Sequence, residues 1–269
     1  MYLALHGCSI MHTNIVTDID IAKEVGYDGV EIWAPKLERY LDVGYQVEDL
    51  LGRMEELRVS MISPMYGIER QDAKQRGELT QRCERLAKAA KTLGCPVLQA
   101  IAMDPTDWEW PVLRSRVASS LAELADIAAT FGVRVGLEPV AVAPLRTLKQ
   151  ALEVIEAANR ENISLVVDLF HLWAAGTSWE EIAALDASII ANAHIGDATE
   201  PKSQDWTDDD RAALPGDGIM PLKEGIDALR RTGFDGTWSV EVWSPYHWEW
   251  NPIEVARELK RRADELLKA

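Results

Sequence analysis

Short apolar runs alternate with longer amphipathic stretches along the whole chain. The runs are YLALH (2–6), GVEIW (29–33), VSMIS (59–63), PVLQAIA (96–102), VRVGLE (133–138), SLVVD (164–168), IIANAHI (189–195) and TWSVEVW (237–243). Runs of this length, rich in β-branched residues and bounded by turn residues, are the pattern of strands buried on both faces. The stretches between them predict helices over 17–25, 47–57, 75–93, 111–131, 147–160 and 221–231, with a short piece from Ser178 and a last helix from Asn251. Punctuation agrees with that division. Gly26 and Gly132 close two helices, Thr17 with Asp20 suits the start of the first, and Ser178 with Glu181 forms a capping box. Asn251, Pro252 and Glu254 supply cap, first-turn proline and box partner for the last helix. Eight strand–helix units in 269 residues predict an α/β chain folded as a single (β/α)8 TIM barrel over 1–269. A doubly wound open sheet is the rival, but no glycine-rich nucleotide loop follows the first strand.

Polar residues interrupt the apolar pattern at the C-terminal ends of four consecutive strands. Residues i and i+2 share a face of a strand. Glu138 therefore lies with Gly136 and Arg134, Asp168 with Val166 and Ser164, His194 with Asn192, and Glu241 with Ser239 and Thr237. The opposite faces (Val133, Val135, Leu137; Leu165, Val167, Leu169; Ala191, Ala193, Ile195; Trp238, Val240, Val242) are apolar and suit the helix side. All four polar residues then point into the barrel mouth, where such barrels place their active sites. Asp168 alone could be a cap for the following turn; the four together converge on one pocket.

Three carboxylates in one pocket cannot all stay ionised without a counter-charge, and no lysine sits at these strand ends. One divalent ion held by Glu138, Asp168, His194 and Glu241 answers this. Three oxygens and one imidazole suit Mn2+ first, with Mg2+, Co2+ or Zn2+ compatible. The bland alternative is a set of buried polar groups that hydrogen-bond one another. His171 either touches substrate or orients Asp168; His6, at the end of the first strand, reaches the pocket or serves as an ordinary core histidine.

Composition narrows the partners. Acidic residues outnumber basic ones 44 to 28, a net charge of -16, which disfavours nucleic acid and anionic membrane surfaces. Three irregularly spaced cysteines give neither a zinc-ligand pair nor a disulfide framework, which points to a reducing cytoplasm. The N-terminal MYLALHGCSI lacks a basic start and a long apolar core and is read as a strand rather than a signal peptide. Tryptophan is over-used, 10 against 3 phenylalanines, and Trp33, Trp108, Trp173, Trp206 and Trp243 fall at or after strand ends. Their amphipathic faces suit the C–H faces of a sugar or cyclitol, or they close the barrel mouth. The connection 196–220 is long and acidic, which fits a lid or a plain solvated loop.

The pieces GLEP (136–139), VVDLFHLW (166–173), AHIGDA (193–198), DDDRAALPGDG (208–218) and SVEVWSP (239–245) resemble the xylose-isomerase-like TIM-barrel superfamily of sugar isomerases and epimerases. Their spacing is most similar to inosose (2-keto-myo-inositol) isomerases and ketose 3-epimerases; the N-terminal half resembles the family only in general form, through GYDGVEIW (26–33). The resemblance implies that Glu138, Asp168, His194 and Glu241 bind one metal ion, that the two glutamates also move protons, and that His171 and Arg211 contact substrate. A metal chelated by a ketone and the neighbouring hydroxyl polarises the carbonyl and stabilises the enediolate left by proton loss. The implied substrate is a small keto-sugar or keto-cyclitol; the scarcity of basic residues near the inferred rim argues for a non-phosphorylated one, and a homo-oligomer, dimer or tetramer, is compatible. A lyase using the same enolate, by 3-keto-glycoside cleavage or dehydroshikimate-type dehydration, is the nearest rival. The AP-endonuclease branch uses three zinc ions and extra histidines, where this chain has Trp33, Ser63 and Asp217. A non-catalytic sugar-binding barrel would make the four inward polar residues incidental.

Overall fold

The eight apolar runs close on themselves. A computed structural model describes residues 1–69, 72–104, 106–200 and 205–268, and its strands form one parallel barrel in chain order. They are β1 (Tyr2–His6), β2 (Gly29–Trp33), β3 (Arg58–Tyr66), β4 (Val97–Ile101), β5 (Arg134–Leu137), β6 (Ile163–Asp168), β7 (Ile190–Ile195) and β8 (Thr237–Val240). β1 pairs with both β2 and β8, so no open edge remains and the doubly wound alternative is excluded.

Helices form the outer ring. α1 (Ile15–Val25) follows β1, α2 (Ala34–Asp42) and α3 (Glu48–Met54) follow β2, and α4 (Ala73–Leu93) and α5 (Trp110–Ala129) follow β3 and β4. α6 (Leu148–Ala158) follows β5, α7 (Leu169–Ala174) and α8 (Trp179–Ala183) follow β6, α9 (Leu222–Arg231) follows β7, and α10 (Pro245–Trp248) and α11 (Pro252–Lys268) complete the chain. Each long helix buries one stripe; on α9 it is Leu222, Gly225, Ile226, Ala228 and Leu229, a spacing of three and four residues that keeps them on one face. Among the described residues no helix is long and apolar enough to cross a membrane.

Several sequence expectations need correction. The short helices α7 and α10, absent from the predicted set, start within two residues of the predicted ends of the sixth and eighth strands. The first helix begins at Ile15 rather than Thr17, because the Asn14 side chain accepts from the N–H groups of Val16 and Thr17, at 3.0 Å each. α2 was not predicted. Its buried face is only Ala34, Lys36 and Leu37, and the charged member of that face hid the periodicity. Lys36 is buried because its ammonium donates to Asp18 at 2.9 Å and to the carbonyls of Gly7 and Ile10. Ala191 does not face the helices. The β6–β7 register skips it, from Leu165↔Ile190 to Val166↔Asn192, and this bulge turns it inward.

The interior is layered. Met61, Val97 and Val166 pack together with Ala191 as an apolar floor. Gly136 makes room for them: a Cβ there would lie 2.8 Å from Val166 Cγ2 and 3.1 Å from Val97 Cγ1. Buried Glu31, Gln99, Asn192 and Ser239 form a polar layer beneath the mouth.

Candidate metal centre

Glu138 and Glu241 lie one residue beyond β5 and β8, yet remain tied to the barrel. Glu138 N–H donates to Ala100 O at 3.1 Å and Glu241 N–H to Ile195 O at 3.0 Å. Asp168 ends β6 and His194 lies within β7, paired with each other in register. Ligand atoms of all four residues lie within 4.8 Å of one another.

Each of the three carboxylates divides its two oxygens between two tasks. Glu138 Oε2 accepts from Gln99 Nε2, and its Oε1 lies 3.3 Å from His194 Nδ1. Asp168 Oδ1 accepts from the His171 N–H at 2.8 Å and so caps α7, while Oδ2 lies 3.7 Å from the same His194 Nδ1. Glu241 Oε1 accepts from Arg211 Nη2, and Oε2 lies 2.6 Å from His194 Nδ1. The cap role of Asp168 and its place in the cluster are therefore not alternatives; one oxygen serves each.

Three inner oxygens and one imidazole nitrogen, all within 4.8 Å of one another, are a donor set for a divalent cation. Charge points the same way. Glu31, Glu138, Asp168 and Glu241 are all largely buried, and among the described residues Arg211 is the one guanidinium beside them. Burial pushes the Glu138 carboxyl up to about 7. Burial also opposes ionisation of Glu241, but Arg211 and His194 outweigh it and hold that carboxyl well below the usual range.

A pocket of roughly 490 Å³, part of it open to solvent, leads to this cluster. Glu138, Glu241, His6, His171, Arg211, Trp33 and Trp243 line it, together with Cys8, Tyr66, Gln99 and Asp208. His171 is neutral, because burial pushes its imidazole down to about 4. Arg211 Nη1 lies 2.6 Å from His171 Nε2 and the Ala141 N–H lies 3.3 Å from Nδ1. Both neighbours are donors, and a neutral imidazole has a single acceptor, so only one contact is a full hydrogen bond.

The structure places Trp108, Trp173 and Trp206 away from the lining. The Arg116 guanidinium covers the Trp108 ring at 4.1 Å, and Trp173 and Trp206 meet edge to face at 5.4 Å, with Phe170 packed on Trp206. In the connection 196–220, residues 201–204 lie outside the described residues. The remainder is anchored by Asp197, whose carboxylate accepts from the N–H groups of Ala198, Gly216, Gly218 and Met220. That anchor sets the base of the loop that carries Asp208 and Arg211 into the pocket.

Sequence reasoning missed Glu31, Gln99, Asp208, Tyr66 and Cys8. Glu31 had a signal: in GVEIW it shares the inward face with Gly29 and Trp33 by simple alternation. Gln99 had the same one in PVLQAIA. Asp208 and Tyr66 lie outside the strands as the sequence delimits them, and strand alternation does not reach them.

The pattern of known proteins agrees with this architecture. The family model described as xylose isomerase-like TIM barrel matches residues 19–266. The inosose isomerase of Bacillus subtilis (strain 168) is 28% identical over 261 residues, 94% of this chain and 92% of the relative. A 3-dehydroshikimate dehydratase of Pseudomonas aeruginosa is 26% identical over 223 residues, 81% of this chain and 34% of that protein. The crystal structure of the IOLI protein with a binding zinc atom superposes with a TM-score of 0.93 at 26% identity, covering 100% of this chain and 98% of the other. The chain belongs to the xylose isomerase-like TIM barrel family.

Proposed function

We propose that this chain is a divalent-metal-dependent isomerase or epimerase of a small, non-phosphorylated keto-sugar or keto-cyclitol, of which an inosose is the first candidate. The observation that carries this is the convergence of three carboxylate oxygens on His194 Nδ1, each with its other oxygen already tied to a separate donor. Bound among Glu138, Asp168, His194 and Glu241, the ion supplies Lewis-acid polarisation of the substrate carbonyl. The chain's own groups do the rest. Glu138 and Glu241 follow strands three apart in the barrel order and reach the substrate from different walls. One removes the proton α to the carbonyl, and the other returns a proton to the enediolate at the same or the neighbouring carbon. Arg211 and His171 hold hydroxyl groups, and Trp33 and Trp243 offer flat apolar faces to ring C–H groups. Among the described residues of the lining Arg211 is the sole cationic side chain, against Glu138, Glu241 and Asp208, which supports a neutral substrate over a phosphorylated one.

A lyase is the second reading, favoured by the dehydratase relative, because the same enediolate expels a β-leaving group where the substrate carries one. Incubation in D2O with inososes, ketohexoses and 3-dehydroshikimate, read by mass spectrometry, separates the two. The isomerase gives products of conserved composition that gain one deuterium. Loss of water or release of a second molecule assigns the lyase, and absence of exchange with every substrate contradicts both.

A further inference from the structure

His194 has carboxylates on both sides of its ring, and the two sides differ in kind. Nδ1 faces Glu241, Glu138 and Asp168 at 2.6, 3.3 and 3.7 Å. Nε2 faces the two oxygens of Glu31 at 3.2 and 3.1 Å. Both His194 and Glu31 side chains have no solvent exposure, so the surrounding protein must satisfy them completely.

Glu31 is surrounded by donors. Asn192 Nδ2 donates to its Oε2 at 2.7 Å. The His6 ring has its Nδ1 occupied by the Cys8 N–H at 3.0 Å, so its proton sits on Nε2, which faces both Ser63 Oγ at 3.0 Å and Glu31 Oε1 at 3.1 Å. With a proton on His194 Nε2, which lies 3.1–3.2 Å from both Glu31 oxygens, three donors would converge on one carboxylate. A cation placed on that side would displace them and face their protons. Around Nδ1 the situation is reversed: every near partner is a carboxylate oxygen. The two sides of one imidazole are thus sorted into a proton side and a cation side.

We infer that Glu31 is a positioning residue of the metal centre: it accepts the Nε2–H of His194, fixes the tautomer and ring plane, and leaves Nδ1 as the nitrogen that ligates the ion. The inference rests on the metal-centred function above. Hydrogen-bonded partners of ligating histidines raise ligand basicity, and their loss weakens metal affinity by about 10- to 100-fold. His6 and Asn192 act one step further out, holding Glu31 itself. Glu31 therefore contributes to the reaction without touching substrate.

The test uses Zn2+ alone. Competition against a chromogenic chelator measures its affinity for wild type and for Glu31→Gln, which preserves shape and removes the charge. The expected result is one ion per chain in both, with affinity lowered about tenfold to a hundredfold in the variant. Equal affinities overturn the inference while leaving the metal-centred function intact. A wild type that takes up no Zn2+ overturns that function and this inference with it. An independent measurement covers a variant that fails to fold. Long-range 1H–15N correlation on the Zn2+-loaded wild type is expected to show His194 protonated at Nε2 and ligated through Nδ1, and the opposite tautomer overturns the inference.

Discussion

Arg211 Nη2 donates to Oε1 of Glu241, and the other oxygen of that glutamate lies 2.6 Å from His194 Nδ1. One carboxylate therefore joins a guanidinium carried by the β7–α9 connection to the centre of the barrel. Arg211 also reaches His171 through Nη1, so a single planar cation holds two pocket groups in fixed relation.

Replacing Arg211 separates these roles from metal binding. Arg211→Ala leaves Glu241 without its counter-charge, and kcat/KM on a substrate that the D2O incubation turns over is expected to fall on the order of 10²-fold, the scale of losing one preorganised donor. Arg211→Lys restores little, because a point charge cannot serve His171 and Glu241 together. Metal content should stay at the wild-type level in both. Steady-state kinetics with parallel metal analysis checks this, and unchanged kcat/KM in Arg211→Ala would refute it.

Glu138→Gln and Glu241→Gln keep an oxygen for the cage but lose the ability to accept a proton. Each should slow deuterium wash-in at the substrate α-carbon by about 10²- to 10⁴-fold, the range of general acid–base catalysis. Mass spectrometry of recovered substrate gives the rate. Undiminished wash-in in both variants would show that other groups move the proton.

The barrel floor predicts a stability effect with no chemistry in it. A Cβ at Gly136 would press on Val166 and Val97, and overpacking of this kind costs about 1–3 kcal/mol. Gly136→Ala should lower the melting temperature, with Gly136→Val worse. A melting curve matching wild type would mean that the floor yields more readily than its contacts suggest.

The cysteines give a prediction about pH. Burial pushes the thiols of Cys83 and Cys95 up to about 12, and Cys8 is likewise raised by burial. A raised thiol pKa keeps the unreactive protonated form through the neutral range, so labelling by a disulfide reagent at pH 8 should be slow in the native protein. Denaturation should release all three. Rapid native labelling would contradict the burial.

The fold and the convergence of the four polar side chains were legible for the same reason: alternation is strict where a strand is buried on both faces. The eight apolar runs predict the barrel, and alternation within them turns Glu138, Asp168, His194 and Glu241 inward, where the structure gathers them within 4.8 Å. What alternation could not give was anything set by irregular backbone or by the shape of the mouth. The bulge at Ala191 reversed one residue. Trp108, Trp173 and Trp206 follow strand ends in sequence but are drawn off to pack on Arg116, on Phe170 and on each other. β2 ends on Trp33, and the carboxylate that meets His194, Glu31, lies two positions before that end rather than at it. Asp208 and Arg211 enter the pocket from a loop anchored by Asp197, and no strand periodicity reaches them.

The metal site is the centre of this account, and calorimetric titration of chelator-treated protein with Zn2+ tests it most directly. Wild type is predicted to bind one ion per chain at a saturable site, and the Asp168→Asn, His194→Ala double variant is predicted to lose that site while remaining folded by circular dichroism. Absence of saturable binding in wild type, or undiminished binding in a folded double variant, would contradict the assignment of Glu138, Asp168, His194 and Glu241 as the metal cage.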